Sequence, residues 1–152
     1  MKILDVLHEE TISVDLQAKD KKGILEELVE PVSGITGISH DELVKKLMER
    51  ERLGSTGIDG GIGIPHGKIK NLDSLIMGFG ISRRGVDFES IDKQPTYLFF
   101  LLFTPENSTD LHLKLLARIS RLLKSNEFRK KLLHAASKEE VIAVIKEEDE
   151  EF

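Results

Sequence analysis

The sequence predicts one α/β domain in which helices cover a central block of strands. Three observations carry this expectation. Two apolar runs of strand length, SLIMGFGIS at residues 74–82 and TYLFFLLFT at residues 96–104, lie in the middle of the chain. Segments whose apolar residues recur at helical spacing lie before and after them. No internal repeat or low-complexity linker divides the 152 residues, a length suited to a single domain.

The elements follow in order. TISVDL, residues 11–16, alternates as a short half-buried strand does. A helix is predicted over residues 20–32, where Ile24, Leu25, Leu28 and Val29 share a face. Pro31 is expected near its end, because an interior proline removes a backbone donor and crowds the preceding turn. Ser39 and Glu42 form a capping-box pattern ahead of DELVKKLMER, a second helix with Leu43, Val44, Leu47 and Met48 on one side. Residues 49–68, ERERLGSTGIDGGIGIPHGK, are the least ordinary segment, with five glycines from Gly54 to Gly63 and a sixth at Gly67. The two apolar runs then read as buried strands, joined through the turn-like stretches RRGVDF and IDKQP. The last third is helical: residues 111–123, residues 127–136, and EEVIAVIK after a Ser137–Glu140 capping box.

Composition removes several classes of function. The net charge of −5 is local, because Glu147, Glu148, Asp149, Glu150 and Glu151 carry five negative charges; without them 22 basic and 22 acidic residues balance. Residues 1–146 are expected to form the domain, and residues 147–152 a frayed acidic tail. A balanced body with no basic block argues against nucleic-acid binding. No stretch is apolar for long enough to insert in a membrane, and MKILDVLHEE meets acids too early for a secretory leader. The absence of cysteine removes disulfides, thiolate metal sites and cysteine nucleophiles. A cytoplasmic location is expected.

The chemistry concentrates around His66. Pro65 fixes its own φ and biases Ile64 towards an extended conformation, and Gly67 permits a turn or a close backbone approach just afterwards. A histidine held there is a nucleophile if one ring nitrogen is free and the other donates to a carbonyl. The preceding glycines would offer backbone N–H groups to an anion at the ring. The same pattern also fits a tight connection with an exposed histidine, and spacing alone leaves both readings open. Two nucleotide motifs fail outright. Gly61, Gly63 and Gly67 have one residue too many for Gly-x-Gly-x-x-Gly, with Pro65 inside; Gly63 and Gly67 are one residue too close for a P-loop, and Lys68 is followed by Ile69. His112 shares a helical face with Leu115, Leu116, Ile119 and Leu123, and by itself reads as a core histidine. Arg50 by itself reads as a solvated arginine near a helix end. A metal site on His66 and His112 lacks a third ligand at diagnostic spacing.

The blocks RERLGSTGIDGGIGIPHGK, DKQPTYLFFLLFTP and HLKLLARISRLL together resemble enzyme IIA of the fructose/mannitol class of the phosphotransferase system, in its fructose-type or nitrogen-regulatory subgroup. Three ordered blocks at family spacing are far more specific than any one of them, and the resemblance spans the chain except the acidic tail. It implies a three-layer α/β/α sandwich on a mixed central sheet. It places the phosphorylated histidine on His66, a second active-site histidine on His112 and an active-site arginine on Arg50. Ser55, Thr56 and Gly67 are candidates for the phosphate loop, with Thr56 expected to hydrogen-bond either a phosphate or the loop itself. Asp59 and Gly63 stand where the family often has glycine and alanine; Asp59 is expected to point away from the site.

The resemblance further implies a phosphoryl relay. A phosphorylated HPr-type carrier would meet His66, whose Nε2 attacks phosphorus in line, with His112 donating to the phosphoryl oxygens and Arg50 supplying positive charge. No metal or other cofactor is implied, because the phosphoryl group arrives activated. An enzyme IIB would receive it for sugar uptake; the lack of cysteine puts a IIB with a cysteine acceptor on another chain. The alternative is a nitrogen-regulatory protein whose phosphorylation state controls binding to a target protein.

Overall fold

A computed structural model describes residues 1–150. A 3-10 turn, Ile3–Asp5, leads into β1 (Leu7–Ser13), followed by α1 (Lys21–Thr36) and α2 (His40–Arg52). The glycine-rich stretch forms three short strands, β2 (Gly57–Ile58), β3 (Ile62–Gly63) and β4 (His66–Ile69). The long strands β5 (Ile76–Val86) and β6 (Thr96–Pro105) come next, then α3 (Thr109–Leu122), α4 (Asn126–His134) and α5 (Lys138–Glu150).

The strands make one mixed sheet in the order β1-β5-β6-β3-β2, with β4 also paired to β6. The pair β5/β6 is antiparallel, whereas β3 and β4 both run parallel to β6. They lie end to end along one edge of β6: β3 opposite Leu98 and Phe99, β4 opposite Leu102 to Pro105. Pro65 falls in the gap. It has no N–H for the ladder, but its carbonyl accepts from the Leu102 N–H at 3.0 Å, so the chain stays in line with β6 and delivers His66 at the start of β4.

Period-two alternation in β6 builds two cores. Leu98, Phe100 and Leu102 face Leu115 and Ile119 of α3, Phe128 and Leu132 of α4, and Val141 and Ile145 of α5. Phe99, Leu101 and Phe103 face Leu25, Leu28 and Val29 of α1 and Leu43 and Leu47 of α2. The result is the three-layer α/β/α sandwich, with α1 and α2 on one face and α3, α4 and α5 on the other. Side-chain caps start α2 and α5 where the sequence indicates, Ser39 accepting from the Glu42 N–H and Ser137 from the Glu140 N–H; Ser125 caps α4 likewise, accepting from the Phe128 N–H.

Four boundaries differ most from the sequence expectation. β5 runs on to Val86 rather than ending at residue 82, so Arg83 to Val86 of the expected turn belong to the strand, with a register irregularity between Ile81 and Val86. β1 begins at Leu7 rather than residue 11, because the exposed HEE of residues 8–10 and a register irregularity between Leu7 and Ile12 hide the alternation. α1 continues past Pro31 to Thr36: Val32 is fully buried on its apolar face, and left-handed Gly37 closes the end with its N–H on the Ser33 carbonyl. Residues 147–150 are not a frayed tail. They form the last turn of α5, and Asp149 is 1% exposed, accepting from the Ile3 N–H at 2.7 Å and from Arg118 Nε. The tail expected at residues 151–152 lies outside the described residues. No helix among the described residues is long and apolar enough to cross a membrane.

Candidate functional site

The site lies where the C-terminal half of α2, strand β4 and the first turn of α3 converge on an open cavity. Arg50, His66, Gly67 and His112 all line it, together with Lys46, Glu49, Leu53, Lys68, Leu113 and Leu116. The two histidines, 46 positions apart in sequence, have ring centroids 5.2 Å apart with planes inclined at 58°.

His66 is held by its own chain. The extended Ile64–Pro65 segment turns the Ile64 carbonyl back to the ring, and Nδ1–H donates to it at 2.7 Å. A carbonyl can only accept, so Nδ1 carries the proton of the neutral ring and Nε2 keeps its lone pair. Burial pulls the His66 pKa below its ordinary value. The Arg50 charge adds to that fall, while the Ile64 bond and Glu51 oppose it. The ring is therefore neutral at pH 7, with a nucleophilic nitrogen free.

His112 reaches the cavity from the first turn of α3, whose start is fixed by the His112 N–H on the Ser108 carbonyl at 3.0 Å. The residue is 5% exposed, and its Nδ1 lies 2.7 Å from the Thr104 hydroxyl at the end of β6. Burial, then the charges of His66 and Lys68, push its pKa down to about 4. Its inward position agrees with the core reading, but the ring also forms one wall of the cavity. Both descriptions hold at once.

Arg50 sits in the last turn of α2 and donates from Nη1 to the Gly54 carbonyl at 2.8 Å. That bond ties the guanidinium to the start of the glycine-rich loop. Its neighbour Glu51, 6% exposed, holds the loop from below. The Glu51 carboxylate accepts the Thr56 N–H at 3.0 Å and the Thr56 hydroxyl, and pairs with Lys21 Nζ at 2.8 Å.

Ser55 and Thr56 therefore do not line the cavity. Thr56 is buried against Glu51, while Ser55 donates to the Phe88 carbonyl and accepts the Gly57 N–H. Both shape the loop to which Arg50 is tied, the loop-bonding role that the sequence allowed beside a phosphate contact. Gly67 lines the cavity, but the chain does not turn there: it continues β4 opposite Phe103, and a Cβ at that position would meet nothing closer than 3.7 Å. The glycines before His66 are likewise structural. Gly60 and Gly61, at φ 90° and 79°, turn β2 into β3, and Gly63 packs against the Phe99 ring. Asp59 is exposed and not part of the cavity wall.

The sequence reading missed two cations. Lys68 stands two residues after His66 in the same strand, so period-two alternation puts it on the same side; its Nζ donates to Thr109 Oγ1 at 2.8 Å. Lys46 is one helical turn before Arg50, 4.0 Å from Glu49. With Arg50 they give the cavity wall three cations against the one carboxylate of Glu49, a balance suited to a dianion. Among the described residues no three His, Cys, Asp or Glu side chains converge as a metal site.

Comparison with known proteins follows the same lines. The model of the family described as "Phosphoenolpyruvate-dependent sugar phosphotransferase system, EIIA 2" matches residues 5–148. A nitrogen regulatory protein of Bradyrhizobium diazoefficiens is 38% identical, the match covering 95% of each chain. The PTS system fructose-specific EIIABC component of Bacillus subtilis is 36% identical over 98% of this chain, which spans only 24% of that protein. Among solved structures, the nitrogen regulatory protein IIA-Ntr of Neisseria meningitidis superposes with a TM-score of 0.88 at 32% identity, covering 93% of this chain and 97% of that one. The mannitol IIA of Escherichia coli, at 21% identity and a TM-score of 0.75 over 91% of this chain and 97% of that one, shares the fold.

Proposed function

This chain belongs to the EIIA 2 family of the phosphoenolpyruvate-dependent sugar phosphotransferase system, and on that premise we propose that it carries a phosphoryl group on Nε2 of His66. The observation that supports this most strongly is the Nδ1–H bond to the Ile64 carbonyl, which leaves Nε2 as a free, neutral nucleophile. In the transfer, the Nε2 lone pair forms a bond to phosphorus while the P–N bond of the donor phosphohistidine breaks. The donor ring takes back the electron pair. The His66 Nδ1 proton stays in its bond to Ile64 throughout.

The remaining residues position and stabilise charge, which dominates phosphoryl transfer between activated groups. His112 meets the phosphoryl oxygens with its outward ring nitrogen, and Arg50 supplies a cation at the mouth. Lys46 and Lys68 add to the field that draws a phosphorylated partner to the cavity. Ser55 and Thr56 act indirectly, by holding the loop behind Arg50.

The donor is an HPr-type phosphocarrier protein, and the receiver an enzyme IIB that serves sugar uptake in the cytoplasm. A mannitol IIA of the same fold has been solved in complex with phosphorylated enzyme IIB, which supports a IIB as receiver here. The second reading, in which the state of His66 governs binding to a regulatory target, draws support from the likeness to IIA-Ntr.

The test is incubation with phosphoenolpyruvate, enzyme I and an HPr-type carrier. The wild-type protein takes up one acid-labile, base-stable phosphoryl group and His66→Ala takes up none. Uptake by the variant on another histidine overturns the assignment. Passage of the label to a purified IIB protein favours the transport reading; label that no IIB accepts favours the regulatory one.

A further inference from the structure

We propose that Thr104 is a positioning residue that fixes the tautomer of His112, so that this histidine offers a donor to the cavity while His66 offers a lone pair. The geometric part stands by itself; its consequence for transfer rests on the phosphoryl-carrier reading.

The number of protons available decides the tautomer. Thr104 is completely buried one residue before the end of β6, and its Oγ1 lies 2.7 Å from His112 Nδ1. That is the one hydrogen bond this hydroxyl makes among the described residues. Neutral His112, held neutral at pH 7 by a pKa near 4, has a single ring proton to place. If Nδ1 held it and donated to Oγ1, the hydroxyl proton would be left in a fully buried site with no acceptor among the described residues. If the hydroxyl donates to Nδ1 instead, no buried proton is left unpaired. The second arrangement wins, and the ring proton goes to Nε2.

Nε2 makes no hydrogen bond within the described protein, and the ring lines the cavity beside His66. A donor with no internal partner, facing a cavity walled by Lys46, Arg50 and Lys68, is placed for an anion's oxygen. The opposite tautomer would present a lone pair and repel it. The two histidines are thus set to opposite tautomers by opposite kinds of anchor. A carbonyl that can only accept holds the His66 proton on Nδ1; a hydroxyl with one proton to spend drives the His112 proton to Nε2.

The test uses the intact protein with 15N-labelled histidine and long-range 1H–15N correlation at pH 7. Wild-type His112 shows an unprotonated Nδ1 and a protonated Nε2, and His66 shows the reverse. Thr104→Val keeps the shape and removes the hydroxyl, so the His112 proton redistributes between the two nitrogens. Single-turnover phosphorylation of His66 then falls by about tenfold, with the half-saturating carrier concentration unchanged. Thr104→Ser restores both readouts. A wild-type His112 with its proton on Nδ1 overturns the proposal, as does a Thr104→Val protein with wild-type tautomer and rate. If Thr104→Val does not fold, the wild-type spectrum and Thr104→Ser carry the decision. Should no protein accept phosphate while His112 holds its proton on Nε2, the carrier reading fails and the role of Thr104 stands.

Discussion

His66 and His112 stand with ring centroids 5.2 Å apart, and each is pinned through Nδ1, one to the Ile64 carbonyl and the other to the Thr104 hydroxyl. The anchors come from different parts of the fold. Ile64 belongs to the break between β3 and β4, and Thr104 to the end of β6, the strand both of them pair with. The spacing of the rings is therefore set by the β4–β6 register together with the way α3 meets the end of β6.

The proposed relay uses this pairing to make His112 a supporting group for the transfer. In His112→Ala, His66 should still accept phosphate, but slower by one to two orders of magnitude, matching the loss of a charge-assisted hydrogen bond of about 1.5–3 kcal/mol. Rapid-quench phosphorylation, with circular dichroism to confirm folding, measures this. A wild-type rate would leave His112 a plain core residue, and a folded variant with no uptake would make it indispensable.

Protonation of His112 ties stability to pH. Its folded pKa, about 4, lies below the ordinary value of 6.5, so between those values the unfolded chain binds a proton that the folded chain refuses. The contribution to stability is intact above pH 6.5 and declines as pH falls towards 4, by on the order of 3 kcal/mol at most. Wild-type melting temperature should drop more steeply across that window than that of His112→Asn. Phosphorylating His66 places a dianion beside the ring and should raise the His112 pKa, readable by NMR titration of both forms. Parallel melting curves, or a His112 titration unmoved by phosphorylation, would contradict the electrostatic picture.

Asp149 locks the end of the chain to its beginning. Its carboxylate accepts from the Ile3 N–H and from Arg118, and Asp149→Ala leaves both without that partner. The expected loss is about 3 kcal/mol, or roughly 6–12 °C in Tm for a domain of this size. Phosphorylation of the remaining folded protein should be unchanged, since none of these residues lines the cavity. Thermal unfolding together with a phosphorylation assay separates the two effects.

The layered fold was legible because β6 is so plainly a doubly buried strand, TYLFFLLFT, with amphipathic segments before and after it. His66, His112 and Arg50 were legible as a set only through the resemblance, since each read alone had an ordinary explanation. Lys68 was within reach of simple alternation from His66, whereas Thr104 was not: its contact depends on how the end of β6 meets α3. For Ser55 and Thr56 the sequence left a phosphate and the loop itself open as partners, because a hydroxyl pair in a glycine loop suits either, and only the fold places Glu51 beneath Thr56. Asp149 was hidden by composition. It follows Val141 and Ile145 at four-residue steps on the buried face of α5, but the acidic residues around it made the whole run read as solvated.

In the proposed relay His66 takes the phosphoryl group on Nε2 while Nδ1 stays bonded to Ile64. The direct measurement is 1H–15N and 31P spectroscopy of 15N-histidine-labelled protein, phosphorylated through an HPr-type carrier. Phosphorus coupling is expected at Nε2 of His66, with the proton retained on its Nδ1. Phosphorus on Nδ1 of His66, on His112, or on any other residue would contradict it.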